Sequence, residues 1–289
     1  MDTYYQIECF NCHLFNDITE DTCNHCGIHL PDPINVRRAS LAIEVQTLQS
    51  RFDNAKKYLA ANGLNSGAEY IQDEVKNKGK GVINTQSDFL WEWLFYNTTS
   101  YQSYRRQLIN NYRLKAKFKN DCKRSVIDSI LFGSDNDIIY AALSINETGL
   151  TSYGEITIIL KTYSIELRTS SLERNSYQFI DDCETNGWTF SKPIPPGYMS
   201  TWPNICKLAL AKLHEKAKKG LNFDELALLV LNSTGGRTKD EFIELYIWGK
   251  IIASAIEKIR IPVHVINDFR PKETLMLKEL QRRFEIDIY

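Results

Sequence analysis

Residues 9–27 read CFNCHLFNDITEDTCNHCG and contain two Cys-x-x-Cys pairs, Cys9 with Cys12 and Cys23 with Cys26. Structural Zn²⁺ sites favour a tetrahedron of thiolates, and a Cys-x-x-Cys turn brings two sulfurs of one hairpin to the same ion. Gly27 follows the second pair, where a glycine lets the backbone turn past the metal. The sequence therefore predicts a structural zinc site with these four cysteines as ligands.

Three histidines lie close to the cysteines, at His13, His25 and His29. Any of them could replace a sulfur, but four cysteines already complete the coordination shell, so we expect the histidines to be exposed. Pro31 and Pro33 then break the chain, which predicts a zinc module over residues 1–33. The pattern resembles the zinc ribbons of nucleic-acid-handling and complex-forming proteins, and does not choose between those roles.

Composition and charge exclude several classes of protein. The 289 residues are 43% hydrophobic and 25% charged with a formal net charge of −1, so no general attraction to nucleic acid or membrane is expected. No apolar run approaches the roughly 18 residues of a membrane span, and the N-terminus lacks the pattern of a signal peptide. We expect a cytoplasmic protein without a disulfide framework.

After the zinc module, the predicted secondary structure changes once, from mainly helical to mixed. Residues 34–125 show mainly helical periodicity, with a glycine- and lysine-rich loop expected at 77–81. From residue 126, short β-branched runs such as 138–143 and 154–160 alternate with helical segments, and a strand is expected at 261–266. The predicted fold class is α+β: a zinc ribbon, a helical middle segment and a C-terminal mixed β-sheet domain over residues 126–289.

A local basic segment lies between residues 101 and 124 of this nearly neutral chain, with tyrosines interleaved. One interpretation is a solvated helix face paired with acidic neighbours, and the other is a stripe that binds nucleic acid through phosphates and stacked bases. The candidate nucleic-acid-binding residues are Arg105, Arg106, Arg113, Lys115 and Lys117.

The order of elements from residue 241 onward resembles the C-terminal part of the ADP-ribosyltransferase superfamily, especially its DarT-like branch that modifies DNA. A strand 242–247 carries a glutamate, a second strand and a helix follow, and a final strand ends the chain. In that superfamily the strand bears the catalytic glutamate, which Glu244 would match, with Glu241 as the alternative. The resemblance implies an ADP-ribosyltransferase-like fold for the C-terminal domain and NAD⁺ as a substrate.

The chemistry explains why a glutamate is needed at that position. Breaking the nicotinamide bond of NAD⁺ produces an oxocarbenium-like ribose, and a carboxylate on the ribose 2-hydroxyl stabilises the developing charge. The superfamily also uses an Arg or His and a Ser or Thr to hold the ribose and phosphates. The resemblance implies that Arg168 and Ser170 are catalytic residues. It also implies that the cofactor is bound by Tyr153, Arg168 and Ser176. Arg124 and Arg105 are alternatives to Arg168.

The resemblance implies a toxin or phage-defence effector that acts on RNA or DNA, with an inhibitory protein as a further partner. Two hypotheses from other classes remain open. The first is a metal-dependent nuclease that uses Asp240, Glu241 and Glu244. The second is a non-catalytic adaptor whose zinc ribbon binds nucleic acid or a protein.

Overall fold

The structure of the protein, a computed structural model, describes residues 6–9, 11–17, 20–30, 32–96, 100–103, 106, 119–133, 137–187, 189, 194–234, 236–237 and 239–289. In these residues the helices are α1 (Ile34–Ala39), α2 (Ala42–Ala61), α3 (Asn65–Lys78), α4 (Ser87–Trp91), α5 (Lys119–Phe132), α6 (Thr162–Ile165), α7 (Ser176–Thr185), α8 (Ile205–Leu213), α9 (Phe223–Val230), α10 (Val263–Asn267) and α11 (Pro271–Arg283). A π-helical turn, Glu92–Tyr96, continues α4.

The strands form one large sheet, a small hairpin and two further two-stranded pairs. They are β1 (Gln6–Glu8), β2 (Phe15–Asp17), β3 (Lys80–Thr85), β4 (Ser100–Tyr101), β5 (Ile138–Ser144), β6 (Ile156–Leu160), β7 (Thr169–Leu172), β8 (Met199–Thr201), β9 (Leu231–Asn232), β10 (Glu241–Phe242), β11 (Glu244–Trp248), β12 (Ile251–Ile252), β13 (Ile256–Ile261) and β14 (Glu285–Ile288). β1 and β2 form the hairpin, and eight strands form the sheet in the order β14-β13-β6-β3-β5-β11-β7-β8.

The large sheet is mixed. β13 and β14 are parallel and are joined through α10 and α11, while the described pairs between its other strands are antiparallel. The prediction of a fold that combines helices with a mixed β-sheet is therefore confirmed. No helix of the described chain is long and apolar enough to span a lipid bilayer.

Each face of the sheet is covered by helices, because the central strands are apolar on both sides. Side chains from α2, α3, α8 and α9 pack with Ile139, Leu245 and Ile247 on one face. The other face carries two apolar clusters: one holds Tyr246 with side chains of α1, α5 and α7, and the other holds Ala142 with Phe242. This second face carries the polar residues considered below.

Two segments differ from the sequence-based expectation. The expected loop at 77–81 is the end of α3 and the start of β3, so the predicted helical region supplies a central strand of the sheet. The expected strand at 261–266 ends at Ile261, since Pro262 stands at the N-cap of α10 and has no N–H for a strand ladder. The prediction of an extended segment after Pro262 was wrong.

A buried lysine fixes the interruption between β10 and β11. The Nζ of Lys212 donates a hydrogen bond of 2.9 Å to the Phe242 carbonyl and lies 3.9 Å from Oε2 of Glu241. Burial lowers the pKa of Lys212 from 10.5 to about 8, and the Glu241 carboxylate opposes that shift. The protonated form of Lys212 is therefore less stable in the folded protein than in water, and it lowers the free energy of unfolding.

This destabilisation predicts a pH dependence of stability. Between pH 8 and 10.5 the unfolded chain keeps a proton on Lys212 that the folded chain has lost, so the free energy of unfolding rises with pH, by about 3 kcal/mol in total. Urea unfolding of the parent and Lys212→Met at several pH values across this window measures the difference. Parallel profiles for the two proteins would contradict the prediction.

Candidate functional site

The two Cys-x-x-Cys turns are built alike. The N–H of His13 donates to the Cys9 carbonyl at 2.9 Å, and the N–H of Gly27 donates to the Cys23 carbonyl at 2.9 Å. Both residues have a positive φ, 57° at His13 and 74° at Gly27. Each turn therefore ends in a left-handed residue that swings the chain back along its own hairpin.

The four sulfurs form one cluster, with all ligand atoms within 4.8 Å of one another. The Sγ atoms of Cys9 and Cys26 are 3.7 Å apart, and those of Cys12 and Cys23 are 3.5 Å apart. A tetrahedron with metal–sulfur bonds of about 2.3 Å has edges of about 3.8 Å, whereas a disulfide bond is about 2.05 Å long. The spacing fits four thiolates around one metal ion such as zinc.

Hydrogen bonds from the backbone favour deprotonation of Cys23 and Cys26. The Leu14 N–H acts in the same direction on Cys12, but burial and hydrogen bonds with the other three thiols raise the pKa of Cys12 to about 12. Burial raises the pKa of Cys23, but the N–H groups of Cys26 and His25 and the Asn16 side chain lower it to about 6. The pKa of Cys26 is lowered as well, first by the N–H of Ile28. Since a metal binds the thiolate form, these donors favour metal binding.

Gly27 and His13 allow a matched test of the turn geometry. Nothing lies within 4 Å of a Cβ added at Gly27, so Gly27→Ala adds only the left-handed backbone strain of about 1 kcal/mol, which lowers metal affinity about fivefold. His13→Ala is the control, because a residue with a Cβ already occupies that position. Competition with a chromophoric chelator measures both affinities. Equal losses would show that backbone strain does not limit binding.

The cysteine module joins the rest of the protein through α1. Nη2 of Arg37 donates to Oδ1 of Asp21 at 3.1 Å, and Arg37 is only 2% exposed. Among the described residues, Nε and Nη1 of Arg37 have no hydrogen-bond partner. Burying a guanidinium this way is costly, so the Asp21 carboxylate is an important partner for it.

Glu244 begins β11 in the interior of the large sheet and lies between the two apolar clusters of its face. The side chain is 3% exposed. Its Oε2 accepts a hydrogen bond of 2.9 Å from the Ser176 backbone N–H and one of 3.0 Å from the Tyr246 hydroxyl. No described residue donates to Oε1, so one carboxylate oxygen is fixed and the other has no donor in that part of the chain.

Three of the predicted site residues meet at this end of the sheet. Ser176 is the first residue of α7, and Asn175 caps the helix by accepting from the Tyr177 N–H at 2.9 Å. The Asn175 side chain also donates to the Tyr153 hydroxyl at 3.1 Å. Glu244, Ser176 and Tyr153 therefore belong to one polar group, organised by the N-terminus of α7, whose dipole favours a carboxylate.

Arg168 lies at the other end of the strands. It comes four residues before Leu172, the partner of Glu244 on β7, which separates it from Glu244 by about 13 Å along the strand. Its guanidinium donates to the Ser164 and Trp248 carbonyls, and burial lowers its pKa. The structure does not bring Arg168 and Glu244 together.

Ser170 lies between these two ends. It pairs with Tyr246 across β7 and β11 and so shares the face of Glu244. The hydroxyl is buried and has no hydrogen-bond partner in the described part of the chain.

Two residues that the sequence did not assign to the transferase site close the Glu244 end of the sheet. Arg237 stacks on the Tyr153 ring, 4.8 Å from its centroid, and donates to the Ser152 carbonyl at 3.1 Å. Asp240 is fully buried and accepts from the Thr234 N–H at 2.8 Å and from the Ser152 hydroxyl. The Gly-Gly-Arg sequence at 235–237 was the only local signal for Arg237, whereas the acidic residues around Asp240 suggested only the metal ligands of the nuclease hypothesis.

The acidic residues of the nuclease hypothesis do not form a metal cluster. In the described residues, the only group of three or more His, Cys, Asp or Glu side chains placed to hold an ion is the cysteine cluster. Asp240 is engaged by donors of its own loop, and Glu241 lies on the surface beside Lys212. This geometry gives no support to metal-dependent cleavage at these residues.

Most of the basic segment lies outside the described residues, including Arg105, Arg113, Lys115 and Lys117. Arg106 is described, and its Nε donates to the Asp137 carboxylate. At this one residue, the contact agrees with the interpretation that the basic side chains pair with acidic neighbours.

Comparison with known proteins assigns no relative. No family model and no curated protein matches the chain.

Proposed function

We propose that the protein is an NAD⁺-dependent ADP-ribosyltransferase that modifies a nucleic acid, with Glu244 as its catalytic carboxylate and with zinc as the structural metal of the cysteine module. The observation that carries the proposal is the setting of Glu244. Oε2 is held by the Ser176 N–H and the Tyr246 hydroxyl, while Oε1 has no donor among the described residues. A carboxylate fixed through one oxygen can present the other to a ribose hydroxyl.

Tyr153 and Arg237 supply the rim of this proposed site. The exposed guanidinium of Arg237 can bind the pyrophosphate of NAD⁺ and the Tyr153 ring can stack on a ribose or base, but each now covers the other. Because Glu244 is only 3% exposed, NAD⁺ reaches it when this pair separates. Arg237 replaces Arg168 as the arginine of the proposed site, since Arg168 lies at the opposite end of the strand from Glu244.

The experiment incubates the full chain with labelled NAD⁺ and, in parallel, single-stranded DNA, RNA or protein. Glu244→Gln keeps the size of the side chain and removes its charge, so transfer should fall at least a hundredfold. Glu241→Gln is the matched control and should retain activity, because Glu241 is exposed and lies outside the polar group. Absence of transfer to every acceptor, or loss in Glu241→Gln alone, would refute the assignment of Glu244.

A further inference from the structure

The cysteine module has a net acidic charge, unlike the remainder of the protein. Residues 1–33 contain six acidic residues, Asp2, Glu8, Asp17, Glu20, Asp21 and Asp32, and no Lys or Arg. The remaining 256 residues therefore carry a formal net charge of +5, since the whole chain is at −1. A metal ion of charge +2 bound by four thiolates would make the module more negative still. Such a surface repels the phosphates of a nucleic acid.

An apolar pair projects from this acidic module. Leu14 is 49% exposed and Phe15 is 58% exposed, at the start of β2. They are held in place, because the Leu14 carbonyl accepts from the Cys9 N–H at 3.0 Å and the Phe15 carbonyl is bonded to the His25 ring at 3.2 Å. The metal-binding turns thus present two apolar side chains on a fixed backbone.

An acidic residue shares the exposed face of Phe15. Asp17 is two residues further along β2 on the same outward face. An exposed aromatic side chain beside a carboxylate is typical of a protein-binding hot spot with a charged rim. The partner that complements this surface has an apolar side chain flanked by Lys or Arg.

We propose that the face of the cysteine module formed by Phe15 and Asp17, beside the exposed Leu14, is a docking surface for a basic protein or peptide segment, and that it does not contact nucleic acid. Phe15 would anchor the partner by burial, and the carboxylates would select its charge. The cysteine cluster then acts as a rigid support for protein recognition, separate from the Glu244 site.

The test uses the full chain and a labelled 15-residue peptide of alternating Lys and Leu, followed by fluorescence anisotropy. We expect Phe15→Ser to raise the Kd about tenfold. Leu167→Ser is the control, because Leu167 is 81% exposed outside the module, and it should leave the Kd unchanged. Asp17→Lys should weaken binding and reduce its dependence on salt. Absorption of bound Co²⁺ confirms that each variant keeps the cysteine cluster.

Further probes separate this proposal from its competitors. A peptide in which Ser replaces Leu, or Glu replaces Lys, should bind at least tenfold more weakly than the parent peptide. The proposal is overturned if the Lys–Leu peptide does not bind, if Phe15→Ser leaves its Kd unchanged, or if fifteen-residue oligothymidylate binds through Phe15. It is also overturned if sedimentation shows that Phe15 mediates self-association of the chain.

Discussion

Removing the metal should unfold residues 9–30 and leave the large sheet folded. The module has an apolar cluster of its own that consists of Cys9, Cys23 and Leu30, with Cys12 and Ile28 beside it, and it is separate from the clusters of the sheet. So small a core cannot fold a chain segment, whereas zinc bound to four thiolates supplies an apparent 10–16 kcal/mol. A metal ion bound by the four cysteines would therefore be the main source of the module's stability.

Tryptophan makes the two parts separately observable. The five tryptophans are at positions 91, 93, 188, 202 and 248, so intrinsic fluorescence reports on the body of the protein, and Co²⁺ absorption reports on the cysteine cluster. After chelation the Co²⁺ site should be lost, while the fluorescence-detected Tm falls by only a few degrees, because the Arg37–Asp21 pair is broken.

Cysteine variants provide the matched comparison for chelation. Cys23→Ser should behave like the chelated protein, while Cys183→Ser should keep the metal, because Cys183 is buried against α5 and the sheet and is outside the cluster. If chelation abolished the thermal transition seen by tryptophan fluorescence together with the Co²⁺ absorption, the module and the body of the protein would fold as one unit.

How far the sequence predicts this structure depends on whether a feature is local. The cysteine spacing specifies the two turns, because each is closed by residues within five positions of one another. The β-branched runs of β5, β6 and β11 were likewise recognisable by composition. Such features need no knowledge of the remainder of the chain.

β3 shows where local reasoning fails. Lys80 and Gly81 suggest a loop, yet Gly81 pairs with Leu143 and Leu160 in the middle of the sheet. A Cβ at Gly81 would lie 2.7 Å from Cδ1 of Ile165, so the glycine makes room for a side chain packed on the strand. The glycine is needed at this position because of Ile165, which is 84 positions away, so no local pattern reveals it.

The polar group around Glu244 is non-local in the same way. The Ser176 N–H that fixes its carboxylate is 68 residues earlier in the chain, and the spacing of Arg168 from Glu244 along the strands follows from the register of β7 and β11. The sequence indicated the strand and the residue types. The sequence could not indicate which of these residues lie at the same end of the sheet, because the register of the strands determines their positions.

Glu244 should have a large effect on stability as well as on activity. In Glu244→Ala, two buried donors, the Ser176 N–H and the Tyr246 hydroxyl, lose their acceptor and a cavity opens between two apolar clusters. Each unsatisfied donor costs about 1–3 kcal/mol, so we expect a loss of about 3–5 kcal/mol in the free energy of unfolding. Urea denaturation followed by tryptophan fluorescence measures it.

Glu244→Gln separates the two roles. Its amide oxygen still accepts at the position of Oε2, so the loss of stability should stay near 1 kcal/mol, whereas the carboxylate charge needed for transfer is gone. Tyr246→Phe removes one donor without removing the acceptor and should cost about 1 kcal/mol. If Glu244→Gln destabilises the protein as much as Glu244→Ala, the charge itself binds the N-terminus of α7. The presence of a glutamate at position 244 would then be explained by stability alone, and the proposed catalytic role would have no support.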